Sequence, residues 1–256
     1  MTTKHRVKGV VVEKIILRTN ATPVYGFLSF IKALQPQEGS SQRDKILDCG
    51  AGGSIPPLAL FAQHGFEAWG IDVSDEQLDK ATHFCEQHSI EMKLRTGDMR
   101  QIPFEDETFD YVYEHFSLCH LSKQDTAQAV GEMYRVLKRQ GLCFLGVISA
   151  DCWPRSRLGQ EKEPGEFWGD EGGEERAHSL FRDEEVDDLI SAWEVISKEK
   201  QVSYHWGSTD EATIEEWMNS HEEAGGGYSR EAWRARYESK ASEFQYAHLY
   251  FCLKKP

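Results

Sequence analysis

The sequence predicts an α/β fold: a doubly wound, mostly parallel seven-stranded sheet with helices on both faces. Three observations carry this. About seven strand-like segments alternate with stretches of helical periodicity, the order expected of parallel strands joined by crossover helices. The run Leu142 to Ile148 is apolar throughout, as a strand buried on both faces must be. The stretch Lys45 to Ser74, KILDCGAGGSIPPLALFAQHGFEAWGIDVS, reads as strand, glycine-rich turn, helix and strand, half of a nucleotide-binding βαβ unit.

The elements follow in order. Val10 to Ile16 is a β-branched run that suits strand or helix. Thr22-Pro23 reads as an N-cap and first helical residue, and Val24, Phe27, Leu28 and Ile31 give one apolar helical face. Ile46 and Leu47 close the first sheet strand, and Asp48 to Gly53 turns. Pro56 and Pro57 open a helix in the turn where missing N–H groups cost nothing, and Gly65 ends it. Glu67 to Ile71 delivers Asp72. Ser74 and Gln77, at capping-box spacing, open a helix through His88. Glu91 to Thr96 is the third strand, followed by Gly97-Asp98-Met99. The fourth ends at Tyr113-Glu114, which places His115 to Leu121 at the carboxyl edge of the sheet, where open α/β folds bind ligands. Val130, Met133, Tyr134 and Leu137 mark the next helix, ahead of the fifth strand at Leu142 to Ile148.

From Asp151 to Leu180 the chain is rich in Gly, Glu and Trp and reads as a long loop. Val186, Leu189, Ile190 and Trp193 restore a helix. Glu194 to His205 and Tyr246 to Leu253 are the last two strands. Between them, residues 208–243 carry two helical patterns separated by Gly225-Gly226-Gly227. The expected organisation is a helical cap segment over 1–39, then one ligand-binding domain over 40–256 with insertions at about 151–177 and 207–243.

A glycine-rich turn lets the backbone approach a ligand closely, with helix N-terminal amides facing it. A dinucleotide site wants a third glycine at position 55, where this chain has Ile55. Asp48 would also repel a pyrophosphate, whereas a sulfonium carrying a free α-amino group would welcome it. This disfavours a nicotinamide dehydrogenase. The pattern resembles the acidic-x-Gly-x-Gly-x-Gly signature of the Rossmann-like class I S-adenosylmethionine (SAM) dependent methyltransferases. It matches at Asp48, Gly50 and Gly52 and departs at Ser54. The resemblance is good over residues 40–150 and looser over 178–206 and 244–253. It implies SAM as cofactor and S-adenosylhomocysteine as product. It also implies a cofactor site lined by Asp48, Gly50, Ala51, Gly52, Asp72, Val73, Asp98, Met99, Glu114 and His115. Asp72 would take the ribose hydroxyls, Asp98 the adenine amino group, and Met99 would pack on the ring.

Methyl transfer is an in-line displacement at an already activated carbon, so the protein mainly aligns the acceptor and excludes water. A base is needed only if the acceptor must lose a proton. The candidates are His115, His120 and His178, and Tyr25, Trp153, Arg155 and Trp168 are candidates for contacting the acceptor. Cys119 and Cys152 follow the fourth and fifth strands and would share one edge if those strands are neighbours, a placement similar to that in arsenic-methylating enzymes.

The net charge of −14 argues against a nucleic-acid groove. No apolar run is long enough to span a bilayer, and the first residues lack a secretory pattern. Six cysteines without a C-x-x-C pair suggest reduced thiols in the cytoplasm, and no metal site is expected. The expected function is methylation of a small molecule. The alternatives are methylation of a protein or tRNA, and a non-catalytic SAM-binding partner subunit. Residues 208–243 are the candidate homodimer face.

Overall fold

The computed structural model describes residues 2–7, 10–15, 22–34, 43–152, 159–171, 174–204, 231, 234 and 245–256. The β-branched run near the N-terminus is a strand: β1 (Thr2–Val7) pairs antiparallel with β2 (Val10–Ile15). Helix α1 (Thr22–Leu34) follows, and Val24, Phe27, Leu28 and Ile31 are all buried, as their spacing predicts.

Seven strands make the main sheet: β3 (Lys45–Cys49), β4 (Glu67–Asp72), β5 (Lys93–Thr96), β6 (Phe109–Tyr113), β7 (Leu137–Ser149), β11 (Glu194–Tyr204) and β12 (Gln245–Lys254). Their spatial order is β5-β4-β3-β6-β7-β12-β11. The first five are parallel, and β12 runs antiparallel between β7 and β11. The order reverses between β3 and β6, so the crevice at their carboxyl ends is the topological switch point.

Both faces are covered. Helix α4 (Lys123–Val136) and α5 (Asp183–Leu189) bury Ala129, Val130, Met133 and Val186 on one face, against Leu47, Val112, Leu145 and Phe251. Helices α1, α2 (Leu58–Gln63) and α3 (Asp75–His88) cover the other, where Phe27, Phe61 and Phe84 join Ile46, Tyr113, Phe144 and Tyr250. Phe27 lies against Phe61, Tyr113 and Phe144 with ring centroids 5.5–6.4 Å apart.

Two expectations need correction. Leu137 is not helical: α4 stops at Val136, and β7 starts at once. The reason is that Glu107 and Thr108 donate their N–H groups to the carbonyls of Arg135 and Val136, satisfying the helix end from outside. The segment from Asp151 to Leu180 is not simply a loop. It contains β8 (Gln160–Glu163), β9 (Glu166–Glu171) and β10 (Glu174–Phe181), an antiparallel ribbon whose last two residues pair with the end of β7. Strand β8, QEKE, is fully exposed, so no alternation betrays it. The ribbon is fixed to the turn before α4. Ser179 Oγ donates to the Leu121 carbonyl at 2.6 Å, and Lys123 Nζ donates to the Pro164 carbonyl at 2.7 Å. Almost all of the 207–243 insertion lies outside the described residues.

Candidate active site

Two turns meet at the switch point. The first, Gly50 to Gly53, leaves β3. Gly50 has φ +133°, and a Cβ there would stand 1.9 Å from Ser117 Oγ. Glycine is therefore required so that the second turn can approach, a demand made by the protein itself. At Gly52 a Cβ would meet Asp72 Oδ2 at 2.6 Å.

The expected bare amides are not bare. Gly50 and Ala51 donate to the Ile71 carbonyl, Gly52 donates to Asp72 Oδ2 at 3.1 Å, and Gly53 donates to the Gln77 carbonyl. Two prolines precede helix α2, and Ala59 and Leu60 donate back to the carbonyls of Pro56 and Pro57. A phosphate receptor needs free N–H groups, and this turn has already committed its own. Asp72 instead braces the turn, and its Oδ1 also accepts from the Ser74 N–H at 2.9 Å. Each oxygen keeps a lone pair for a hydroxyl donor. Val73 beside it is exposed. Ser74 caps α3 by accepting from the Gln77 N–H, as its spacing predicts.

Asp98 sits after β5, and Arg100 grips both of its oxygens, at 3.1 Å and 2.7 Å. Arg100 also reaches Asp125 at 3.2 Å. The guanidinium holds the Asp98 carboxyl below its usual range. Met99 is half-buried beside it.

The second turn follows β6. Glu114 is completely buried. Its Oε1 accepts from the N–H groups of Ser117 at 2.7 Å and Leu118 at 2.8 Å, and the Gly146 amide also faces the carboxylate. Burial nevertheless pushes its carboxyl up to about 7. Asp48 is 2% exposed, and burial with the charges of Glu114 and Asp72 raises its carboxyl well above normal. Phe116 adopts the left-handed conformation, φ +73°, which costs about 1 kcal/mol in a residue with a Cβ. Four buried side-chain atoms have no hydrogen-bond partner among the described residues: Asp48 Oδ2, Tyr113 Oη, Glu114 Oε2 and His115 Nε2. All four belong to the ends of β3 and β6.

The three predicted histidines separate into two places. His115 stacks on Tyr250 at 5.8 Å and meets Phe116 at 3.9 Å. His248, on β12, stacks on the same Tyr250 at 5.9 Å and meets Phe116 edge-on at 4.9 Å. Burial lowers His115 to about 3, helped by His248, and lowers His248 to about 4, so both are neutral. His248 escaped sequence reasoning. The available signal was a basic side chain interrupting the apolar run of the last strand. His120 and His178 instead meet each other edge-on at 5.0 Å, where the β8–β10 ribbon joins the turn.

Cys119 and Cys152 do share one buried cluster, with Ile148, Phe167, Leu180 and Ala247. No disulfide joins any of the six cysteines. Tyr25 is half-buried against the α1–α2 core, and Trp168 lies on β9 under the Lys162 ammonium, 4.6 Å from its ring. Trp153 and Arg155 lie outside the described residues. Among the described residues no group of three metal-ligating side chains could hold an ion, and no helix is long and apolar enough to cross a membrane.

Residues 47–145 match the family model described as a methyltransferase domain. A sterol 24-C-methyltransferase of Neurospora crassa is 35% identical over 112 residues, covering 42% of this chain and 28% of that protein. The chain spans well under half the length of the curated relatives it matches. Solved structures extend the likeness of fold. A SAM-dependent methyltransferase from Methanosarcina mazei superposes with TM-score 0.62 at 17% identity, covering 88% of this chain and 96% of that one. The 1,6-didemethyltoxoflavin-N1-methyltransferase of Burkholderia thailandensis, with bound 1,6-didemethyltoxoflavin and S-adenosylhomocysteine, gives 0.56 at 11% identity, covering 93% and 78%. Residues 47–145 thus match a methyltransferase domain, and the chain around them has the fold of a solved SAM-dependent methyltransferase.

Proposed function

We propose that this protein transfers a methyl group from SAM to a small neutral acceptor held beyond the ends of β6 and β7. One observation supports this most. The glycine turn offers no free amides for a phosphate, while Asp48, Asp72 and Glu114 surround it with carboxylates. Such a site repels a dinucleotide and receives a cationic ligand. When bound, SAM supplies a methyl group on a positively charged sulfur. Asp72 presents a braced carboxylate to the ribose hydroxyls, and Asp98, oriented by Arg100, presents lone pairs to the adenine edge. Met99 packs beside it. Gly50, Ala51 and Gly52 keep the turn low enough for the ligand to pass over.

On the acceptor side, His115 and His248 offer neutral imidazoles between aromatic faces. Each can accept a hydrogen bond from an acceptor O–H or N–H and take its proton as transfer proceeds. Among the described residues the rings of Phe116 and Tyr250 flank both imidazoles, which suits a neutral acceptor. His120 and His178 lie at the junction with the ribbon, a place suited to controlling entry. The absence of disulfides among the six cysteines supports a cytoplasmic setting.

Titration calorimetry with S-adenosylhomocysteine and with NAD tests the reading. Micromolar binding of the first and none of the second is expected. Binding of NAD instead would overturn it.

A further inference from the structure

Hydrogen bonding at the switch point leaves a specific imbalance. Two carboxylates, Asp48 on β3 and Glu114 just after β6, are buried beside paired strands, with Asp48 in register with Tyr113. Each keeps one buried oxygen without a partner among the described residues. The groups facing them are Asp72 from β4, Cys49 from β3, Cys143 from β7, Tyr113 from β6 and Tyr250 from β12, together with the backbone amides of Ser117, Leu118 and Gly146. No cation is among them. Two adjacent buried carboxylates cannot both ionise cheaply without one.

We propose that cofactor binding exchanges a proton for an ammonium at this pair. In the free protein the Asp48–Glu114 pair retains one proton. The α-ammonium of the cofactor's amino-acid end takes its place, and the proton leaves to solvent. The balance is complete: the pair goes from one negative charge to two, and the arriving ammonium supplies the compensating positive charge. The pair shares the proton in the free protein, and the three backbone amides at Glu114 stabilise its carboxylate form once the ammonium has arrived. The same carboxylate holds Ser117 and Leu118, so binding at Glu114 tightens the turn that carries His115 and Phe116. The inference rests on the SAM reading above and adds a proton to it.

The test is calorimetry of the full chain with S-adenosylhomocysteine in two buffers of different ionisation enthalpy. Near pH 6, about one proton should be released per ligand, falling towards zero near pH 8.5, where Glu114 is already ionised. Affinity should rise about tenfold per pH unit below about 7 and then level off. Glu114→Gln should bind more weakly, release no proton and lose the pH dependence. 5′-Methylthioadenosine, which lacks the amino-acid end, should bind the unmodified protein without proton release. Proton-free binding of S-adenosylhomocysteine by the unmodified protein at pH 6 would overturn the proposal and leave the cofactor assignment standing. So would undiminished release in Glu114→Gln. Absence of any S-adenosylhomocysteine binding would remove the cofactor assignment itself.

Discussion

The two turns at the switch point are built on opposite principles. In the turn after β3, each amide from Gly50 to Gly53 has a protein acceptor, and Asp72 braces the turn with one oxygen while holding Ser74 with the other. In the turn after β6, Glu114 and His115 each keep a buried atom without a partner among the described residues, and Phe116 sits left-handed. Saturated hydrogen bonding gives a surface that holds its shape before a ligand arrives. Unsatisfied buried groups and backbone strain mark the place where a ligand completes the structure. The turn after β3 is thus already set, and the turn after β6 is unfinished.

The largest blow to this contrast should come from Gly50→Val. The side chain would collide with Ser117 and force a strained φ, costing about 3 kcal/mol. Urea unfolding should show the loss, and S-adenosylhomocysteine binding should disappear. Unchanged stability would mean the turns do not press on each other.

Asp72→Ala comes next. It removes the brace and the ribose acceptor together, so S-adenosylhomocysteine should bind about 1.5–3 kcal/mol more weakly, roughly tenfold to 150-fold. Unaltered affinity in calorimetry would sink the assignment.

The third prediction concerns pH and runs in two directions. His115 and His248 are held neutral, with folded values of about 3 and 4 against an unfolded value of 6.5. Their contribution to stability is present above pH 6.5 and is lost as pH falls towards those values. Glu114 has the opposite sign. Raised from 4.5 to about 7, it contributes most below pH 4.5 and loses that contribution as pH rises through 7. Thermal melts should therefore peak between these limits. His248→Phe should flatten the acid limb while leaving S-adenosylhomocysteine affinity within about twofold. An unchanged acid limb would mean that His248 is not buried in neutral form.

The smallest effect should belong to Arg100→Ala. Arg100 is partly exposed, so its pairing with Asp98 contributes at most about 1 kcal/mol. Cofactor affinity should fall no more than about threefold. A larger drop would promote Arg100 from orienting Asp98 to contacting the ligand.

The same contrast explains what the sequence made legible. Asp48, Gly50, Gly52, Asp72 and the Ser74 cap follow one another within thirty residues, and local chemistry dictates their geometry. Strands β3, β6 and β7 also declared themselves through apolar runs. What stayed hidden depends on distance along the chain. Nothing near His115 announces that Tyr250 and His248 will stack around it, because those rings come from a strand far downstream. The destination of the glycine-turn amides was likewise hidden, since glycine itself looks the same whether its N–H faces a ligand or Ile71. The ribbon at 160–181 was concealed by its charged, exposed first strand.

Strand β12 carries a consequence for how the molecule assembles. It fills the gap between β7 and β11, yet it lies roughly a hundred residues beyond β7, so its insertion closes a long loop at a substantial entropic cost. Residues 45–113 close shorter loops, the longest of them joining β3 to β6. A growing chain can therefore pair β3, β4, β5 and β6 while the edge of β7 still waits, and the pair of imidazoles exists only once the last strand has docked. On the proposed function, any brake on that docking would leave the glycine turn formed and the acceptor site incomplete.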